Sequence, residues 1–243
     1  MIEHIEQGTL PRGKKAVIAL TSWKKRINTV GLTIFNLFYI CGPEFHIVLT
    51  LAEEEFPRKE RGLPRDLILM NRVGVFEILW VRKNYRAFKK ILFAMQRYQT
   101  VPIISADDDC IYRFNYANEL YNTWRACKSK RACYWCSNIT NGFFNTSGYA
   151  TIHPPYYYKD AYRFLTDDIV KLGEDDLFYA AVCKVYNQKS CTCLHLNLND
   201  VAVIHDEDSP LHNIYRKSNI SVVERFNSMY NLVLEKFYEY YRK

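Results

Sequence analysis

The sequence predicts an α/β fold with a mostly parallel central sheet flanked by helices. Two observations carry this: β-branched apolar runs alternate with helix-periodic segments through the first half, and polar clusters stand at the ends of two of those runs. After a polar leader, KKAVIALTSW (14–23) is an apolar run stopping at a Ser/Thr turn, which reads as a buried strand. RINTVGLTIFNLFY (26–39) places Val30, Ile34, Leu37 and Phe38 at helical spacing, and FHIVLTLA (45–52) is a second strand. A charged loop and helix (53–70) lead to a third strand, VFEILWV (75–81). AFKKILFAMQRY (87–98) is a helix with Phe88, Ile91, Leu92 and Met95 on one face, and VPIISA (101–106) is a fourth strand. Strand, helix, strand in this order implies parallel pairing through right-handed crossovers.

The second half is less regular. YANELYNTWRAC (116–127) reads as a helix and ACYWCSNI (132–139) as a strand. TNGFFNTSGYATIHPPYYY (140–158) is a Gly/Pro/aromatic loop, long enough to be a binding surface. GEDDLFYAAVCKVYNQ (173–188) opens a helix, CTCLHLNL (191–198) and VAVIH (201–205) resemble short strands, and 221–243 is an amphipathic helix. Its stripe is Val222, Phe226, Met229, Val233, Phe237 and Tyr240. That stripe suits core packing, or a peripheral contact with a membrane interface.

Composition narrows the function. Hydrophobic residues make up 49% and charged residues 24%, which excludes a disordered chain. A net charge of +7 favours anionic partners such as phosphates and nucleotides. The short basic strings KSKR (128–131) and FKK (88–90) fall short of a nucleic-acid tail, so no nucleic-acid partner is expected. The opening segment lacks the apolar stretch of an export signal and no apolar run would span a bilayer. The eight Cys are therefore expected as cytoplasmic thiols, although Cys133-x-x-Cys136 and Cys191-x-Cys193 are half of a zinc pattern.

The chemistry gathers at two acidic clusters. Asp107-Asp108-Asp109 follows the fourth strand, at the end where parallel sheets bind ligands. Carboxylates there offer hard oxygens to Mg²⁺ or Mn²⁺, with diphosphate and water completing the shell. Consecutive positions alternate along an extended chain, so Asp107 and Asp109 are expected on one side and Asp108 on the other. Asp109 would then meet the metal, and Asp107 a ribose hydroxyl or a metal-bound water. Glu174-Asp175-Asp176 lies at a helix start, where acids complement the helix dipole or act as a general base on an acceptor hydroxyl.

The order VIALTSWKKRI, VRKNYRAFKKILFA, IISADDDCIY, GEDDLFYA and VIHDEDSPLHN resembles bacterial nucleotide-sugar glycosyltransferases of the GT-A fold, over about Val17 to His212. The resemblance implies a single catalytic domain. About 15–112 would bind the nucleotide sugar, about 113–215 the acceptor, and about 220–243 would form the closing helix. Thr21, Ser22, Arg26 and Lys90 would line the donor pocket with Asp107 and Asp108. Asp107 and Asp109 would hold Mn²⁺ or Mg²⁺, with His205 or His212 completing the site. Asp175 would be the base of an inverting transfer, with Glu174 and Asp176 as substitutes. The donor implied is a nucleoside-diphosphate sugar, a UDP-sugar first. The acceptor is a glycan or lipid-linked glycan of surface polysaccharide or lipopolysaccharide biosynthesis, in the cytoplasm or at the inner face of the cell membrane. The sequence lacks the QxxRW element of processive members, which favours single additions. Competing readings of the same residues are a metal-dependent phosphohydrolase or nucleotidyltransferase, and a basic aromatic nucleic-acid binder.

Overall fold

A computed structural model describes residues 2–127, 131–133, 136–138, 145–147, 150–156, 161–187, 190–192, 201–204 and 220–242. The strands are β1 (Ala16–Thr21), β2 (Phe45–Ala52), β3 (Glu77–Val81), β4 (Ile103–Ser105), β5 (Cys110–Tyr112), β6 (Arg131–Cys133), β7 (Cys136–Asn138), β8 (Asn145–Ser147), β9 (Thr151–His153), β10 (Ser190–Thr192) and β11 (Val201–Val203). The helices are α1 (Val30–Cys41), α2 (Arg65–Arg72), α3 (Lys89–Arg97), α4 (Tyr116–Ala126), α5 (Ala161–Phe164), α6 (Asp167–Leu172), α7 (Asp175–Val185) and α8 (Val222–Tyr241).

Seven strands form one sheet in the order β10-β6-β9-β4-β1-β2-β3. β3, β2, β1 and β4 run parallel, β9 is antiparallel to both its neighbours, and β10 pairs parallel with β6. The expected mostly parallel α/β architecture is therefore the one observed. β1 explains why its sequence is apolar without alternation. Ala16, Ile18 and Leu20 join the core on one face with α1, α2 and α4, while Val17 and Ala19 join the core on the other face with α3 and α5–α8. A parallel strand covered on both faces has no solvent side to mark with polar residues.

Local chemistry sets several boundaries. Gly173 closes α6 in the left-handed region at φ 75°, and α7 starts two residues later. Thr166 caps α6 by accepting from the Ile169 amide at 3.3 Å. Ser221 and Glu224 form a reciprocal capping box at the start of α8.

Three sequence readings need correction. The presumed loop 140–158 contains β9, whose buried residues 151–153 sit between β4 and β6 inside the sheet. A three-residue strand between Gly148 and Pro154 is too short to show a period. Phe38, assigned to the buried stripe of α1, is 47% exposed, whereas Val30, Ile34 and Leu37 are buried. The expected strand 132–139 is two separate strands, with β6 in the main sheet and β7 in a hairpin with β8. The stripe of α8 buries Phe226, Met229 and Val233 in the core that α3 and α5–α7 build on the second face of the sheet, which is the core-packing role expected of it.

Candidate functional site

The carboxyl ends of the parallel strands carry the site. β1 delivers Thr21 and Ser22, the segment after β4 delivers the three aspartates, and α7 begins at Asp175. β4 ends at Ser105, so the triplet lies in a turn and strand alternation does not govern it. Asp108 and Asp109 both reach Arg26, whose Nη1 donates to Asp108 Oδ1 at 2.8 Å and lies 2.9 Å from Asp109 Oδ2. Asp107 instead meets Lys90, with Nζ donating to Oδ1 at 2.8 Å.

Asp108 is the anchored member. It is 7% exposed, accepts from Ser22 Oγ at 2.6 Å, and its backbone carbonyl accepts from Thr33 Oγ1 at 3.1 Å. The Asp107 amide donates to the Tyr112 hydroxyl at 2.7 Å, which fixes the other end of the turn. Asp107 and Asp109 keep more of their carboxylate surface open than Asp108 does.

The second cluster meets the first through Lys90. Its Nζ lies 3.5 Å from Asp175 Oδ2, an oxygen that is buried and makes no hydrogen bond. Burial works against a charged Lys90, yet the charges of Asp107, Asp175 and Asp176 hold its pKa well above the ordinary value. Asp109 moves the other way for a carboxyl. Burial raises its pKa, and repulsion from Asp107 and Asp108 adds to this although Arg26 opposes it. Glu174 is turned out of this constellation, pairing at 2.8 Å with Arg225 Nε of α8. It pins two helices, and Asp175 and Asp176 are left as the acids that act on Lys90.

Beside the acidic turn, a cavity of about 340 Å³ opens over the ends of β1, β2 and β3, lined by Thr21, Ser22, Trp23, Arg26, Glu55 and Lys89, among others. It also takes in Asn84, Arg86 and Asp108. Lys89 is almost fully buried and donates to Asn84 Oδ1 at 3.1 Å and Glu55 Oε2 at 3.3 Å. Burial lowers its pKa more than Glu55 restores it. Adjacent helical residues differ by about 100° in direction, which sends Lys89 to the cavity and Lys90 to the acids. Lys90, expected to line a donor pocket, is not among the residues that line this cavity, and Lys89 is. Trp23, Glu55, Asn84, Arg86 and Lys89 were not singled out from sequence. Applying the strand-end rule to the second and third strands, as it was to the first and fourth, would have found most of them.

His205 and His212, and residues 140–144, 148–149 and 157–158 of the presumed acceptor loop, lie outside the described residues. Among the described residues, no group of three or more His, Cys, Asp or Glu is arranged to hold a metal by itself.

No protein-family model and no curated protein matches the chain. Its fold is similar to that in the crystal structure of S. aureus TarS 1-349, with a TM-score of 0.53 and 11% identity over 94% of this chain and 73% of that one. A likeness at this identity establishes the shared fold.

Proposed function

We propose that the chain is a glycosyltransferase that moves a sugar from a nucleoside-diphosphate donor to a hydroxyl of a glycan or lipid-linked glycan, with inversion. The fold it shares with TarS, a glycosyltransferase, supports the reaction class. The observation that carries the proposal is a buried carboxylate oxygen lacking a hydrogen bond, on Asp175, coupled through Lys90 to Asp107 beside a cavity of nucleotide size.

In this reading the nucleoside enters the cavity between Trp23 and the Lys89–Glu55–Asn84 group, with Arg86 at its wall. The diphosphate lies over the acidic turn. Asp108 holds Arg26 and Ser22 in place, so Arg26 meets phosphate without having to reorganise. Asp175 Oδ2 takes the proton of the acceptor hydroxyl as that oxygen attacks the sugar carbon and the bond from that carbon to the nucleoside diphosphate breaks, with Lys90 beside the carboxylate at 3.5 Å.

A divalent cation suits these residues. Asp107, Asp108, Asp109 and Asp175 carry four negative charges against two on Arg26 and Lys90, and Asp107 and Asp109 are the more open carboxylates. They would hold Mn²⁺ or Mg²⁺ jointly with the donor's diphosphate, since the described side chains alone do not form a closed set. When bound, the ion would supply positive charge to the leaving diphosphate.

The test is product analysis with candidate sugar donors. Release of a nucleoside diphosphate supports transfer, while release of phosphate or pyrophosphate supports the phosphohydrolase or nucleotidyltransferase alternative. Asp175→Asn should abolish most turnover and leave donor binding nearly intact. Equal loss of both would give Asp175 a structural role.

A further inference from the structure

α1 is covered on one side only. Val30, Ile34 and Leu37 are buried, yet Leu32, Phe35, Phe38 and Tyr39 are 59%, 61%, 47% and 75% exposed. On a helix these four positions fall on one continuous face. Phe114, also exposed, lies beside it, because Asn36 of α1 bonds both the amide and the carbonyl of Tyr112. Isolated exposed apolar residues are ordinary, but five large ones gathered on and beside one helix mark a surface that meets a partner.

The charges around this face select the partner. Residues 30–41 contain no ionisable acid or base other than Tyr39 and Cys41, and the turn before them exposes Lys24 and Lys25. Arg113, exposed, stands next to Phe114. Of the nearby acids, Asp66 of α2 stands opposite Gly31 in the first turn, and Glu44, just past the last turn, is paired with Lys15 at 2.6 Å. Two copies of the chain joined by this face would bring like-charged rims together. An anionic lipid surface complements both parts, with aromatic rings at the headgroup level and lysines on the phosphates.

We infer that the exposed face of α1, with Phe114 and the Lys24–Lys25 turn, docks the chain on an anionic membrane surface. This moves the membrane contact from α8, whose stripe the core already occupies, to α1. The position also suits the site, since Thr33 on the buried side of α1 holds the Asp108 carbonyl at 3.1 Å. A docked chain would therefore keep the acidic turn close to the lipid plane.

The experiment is co-sedimentation of the full chain with vesicles of phosphatidylcholine alone or mixed with phosphatidylglycerol, with circular dichroism confirming the fold of each variant. The chain should pellet with phosphatidylglycerol vesicles and not with phosphatidylcholine. Phe35→Ser combined with Tyr39→Ser should weaken binding by about tenfold, the loss expected for two interfacial rings. Lys24→Glu with Lys25→Glu should weaken it comparably by a purely electrostatic route. The matched pair Tyr238→Ser and Tyr241→Ser on α8 should leave binding unchanged. Binding insensitive to the Phe35/Tyr39 pair would reduce the contact to general charge attraction and overturn the proposal. So would loss with the α8 pair, or sedimentation equilibrium showing a dimer that the Phe35/Tyr39 pair dissociates. Vesicle binding reads nothing of the chemistry, so its failure is distinguishable from failure of the glycosyl-transfer reading.

Discussion

The two ends of the central sheet hold carboxylates whose environments act in opposite senses. At the amino ends of β2 and β3, Glu77 accepts from the Tyr98 hydroxyl, meets His46 Nε2 at 2.8 Å and pairs with Arg97 Nε at 3.2 Å. Burial alone would raise its pKa, but the His46 and Tyr98 bonds and the charges of His46 and Arg97 bring it below the ordinary value. At the carboxyl ends, burial and two neighbouring aspartates raise the pKa of Asp109 although Arg26 touches it. One end uses its charge to hold the fold. The other crowds carboxylates around Arg26 and Lys90, which costs stability and suits the ligand site proposed above.

Lys90→Met presses hardest on that difference. It should cost about 3 kcal/mol in denaturant unfolding, because Asp107 and Asp175 lose the cation between them. Adding Asp175→Asn should recover part of the loss. If the two effects simply add, the coupling through Lys90 is wrong.

Asp175→Asn alone should slow sugar transfer by about 100-fold or more, the lower range for a lost general base. Donor affinity, read by calorimetry, should change little. Glu174→Gln, in contrast, should leave activity in place, because that carboxylate faces Arg225 of α8 and not the acidic turn.

Glu77→Gln should cost about 1 kcal/mol at pH 7, the worth of one charge-assisted pair. The sign with pH follows from a folded pKa held below the ordinary 4.5. Its contribution is fully present above pH 4.5 and is lost as pH falls through the depressed folded value. Acid unfolding of the variant should therefore lack that part of the slope. Asp109→Asn should act in the opposite sense to Glu77→Gln at pH 7, raising the stability of the ligand-free chain, because burial and its aspartate neighbours hold its pKa above the ordinary value. Equal signs for the two substitutions would dissolve the contrast between the sheet ends.

The fold was legible where burial on both faces leaves an unbroken apolar run, as in β1 and β2, and where an amphipathic stripe announces α8. β9 was not, because three residues show no period and their place in the sheet comes entirely from β4 and β6. Of the site, the aspartates and Asp175 could be found as acids at element ends. Their directions could not, since the triplet sits in a turn beyond β4 where Asp108 and Asp109 share Arg26. The choice between Lys89 and Lys90 was equally hidden, because neighbouring residues on a helix differ only in direction until the helix is docked.

The proposed function makes the carboxyl end of the sheet a nucleoside-diphosphate site short of positive charge. Thermal unfolding with nucleoside diphosphates and their sugar conjugates, with and without Mn²⁺, tests it most directly. The account predicts that one nucleotide with Mn²⁺ raises the midpoint, by about 2.7 kcal/mol of stabilisation at a hundredfold excess over Kd. It also predicts that Asp109→Asn removes the Mn²⁺-dependent part. No shift with any nucleotide in either condition would contradict it.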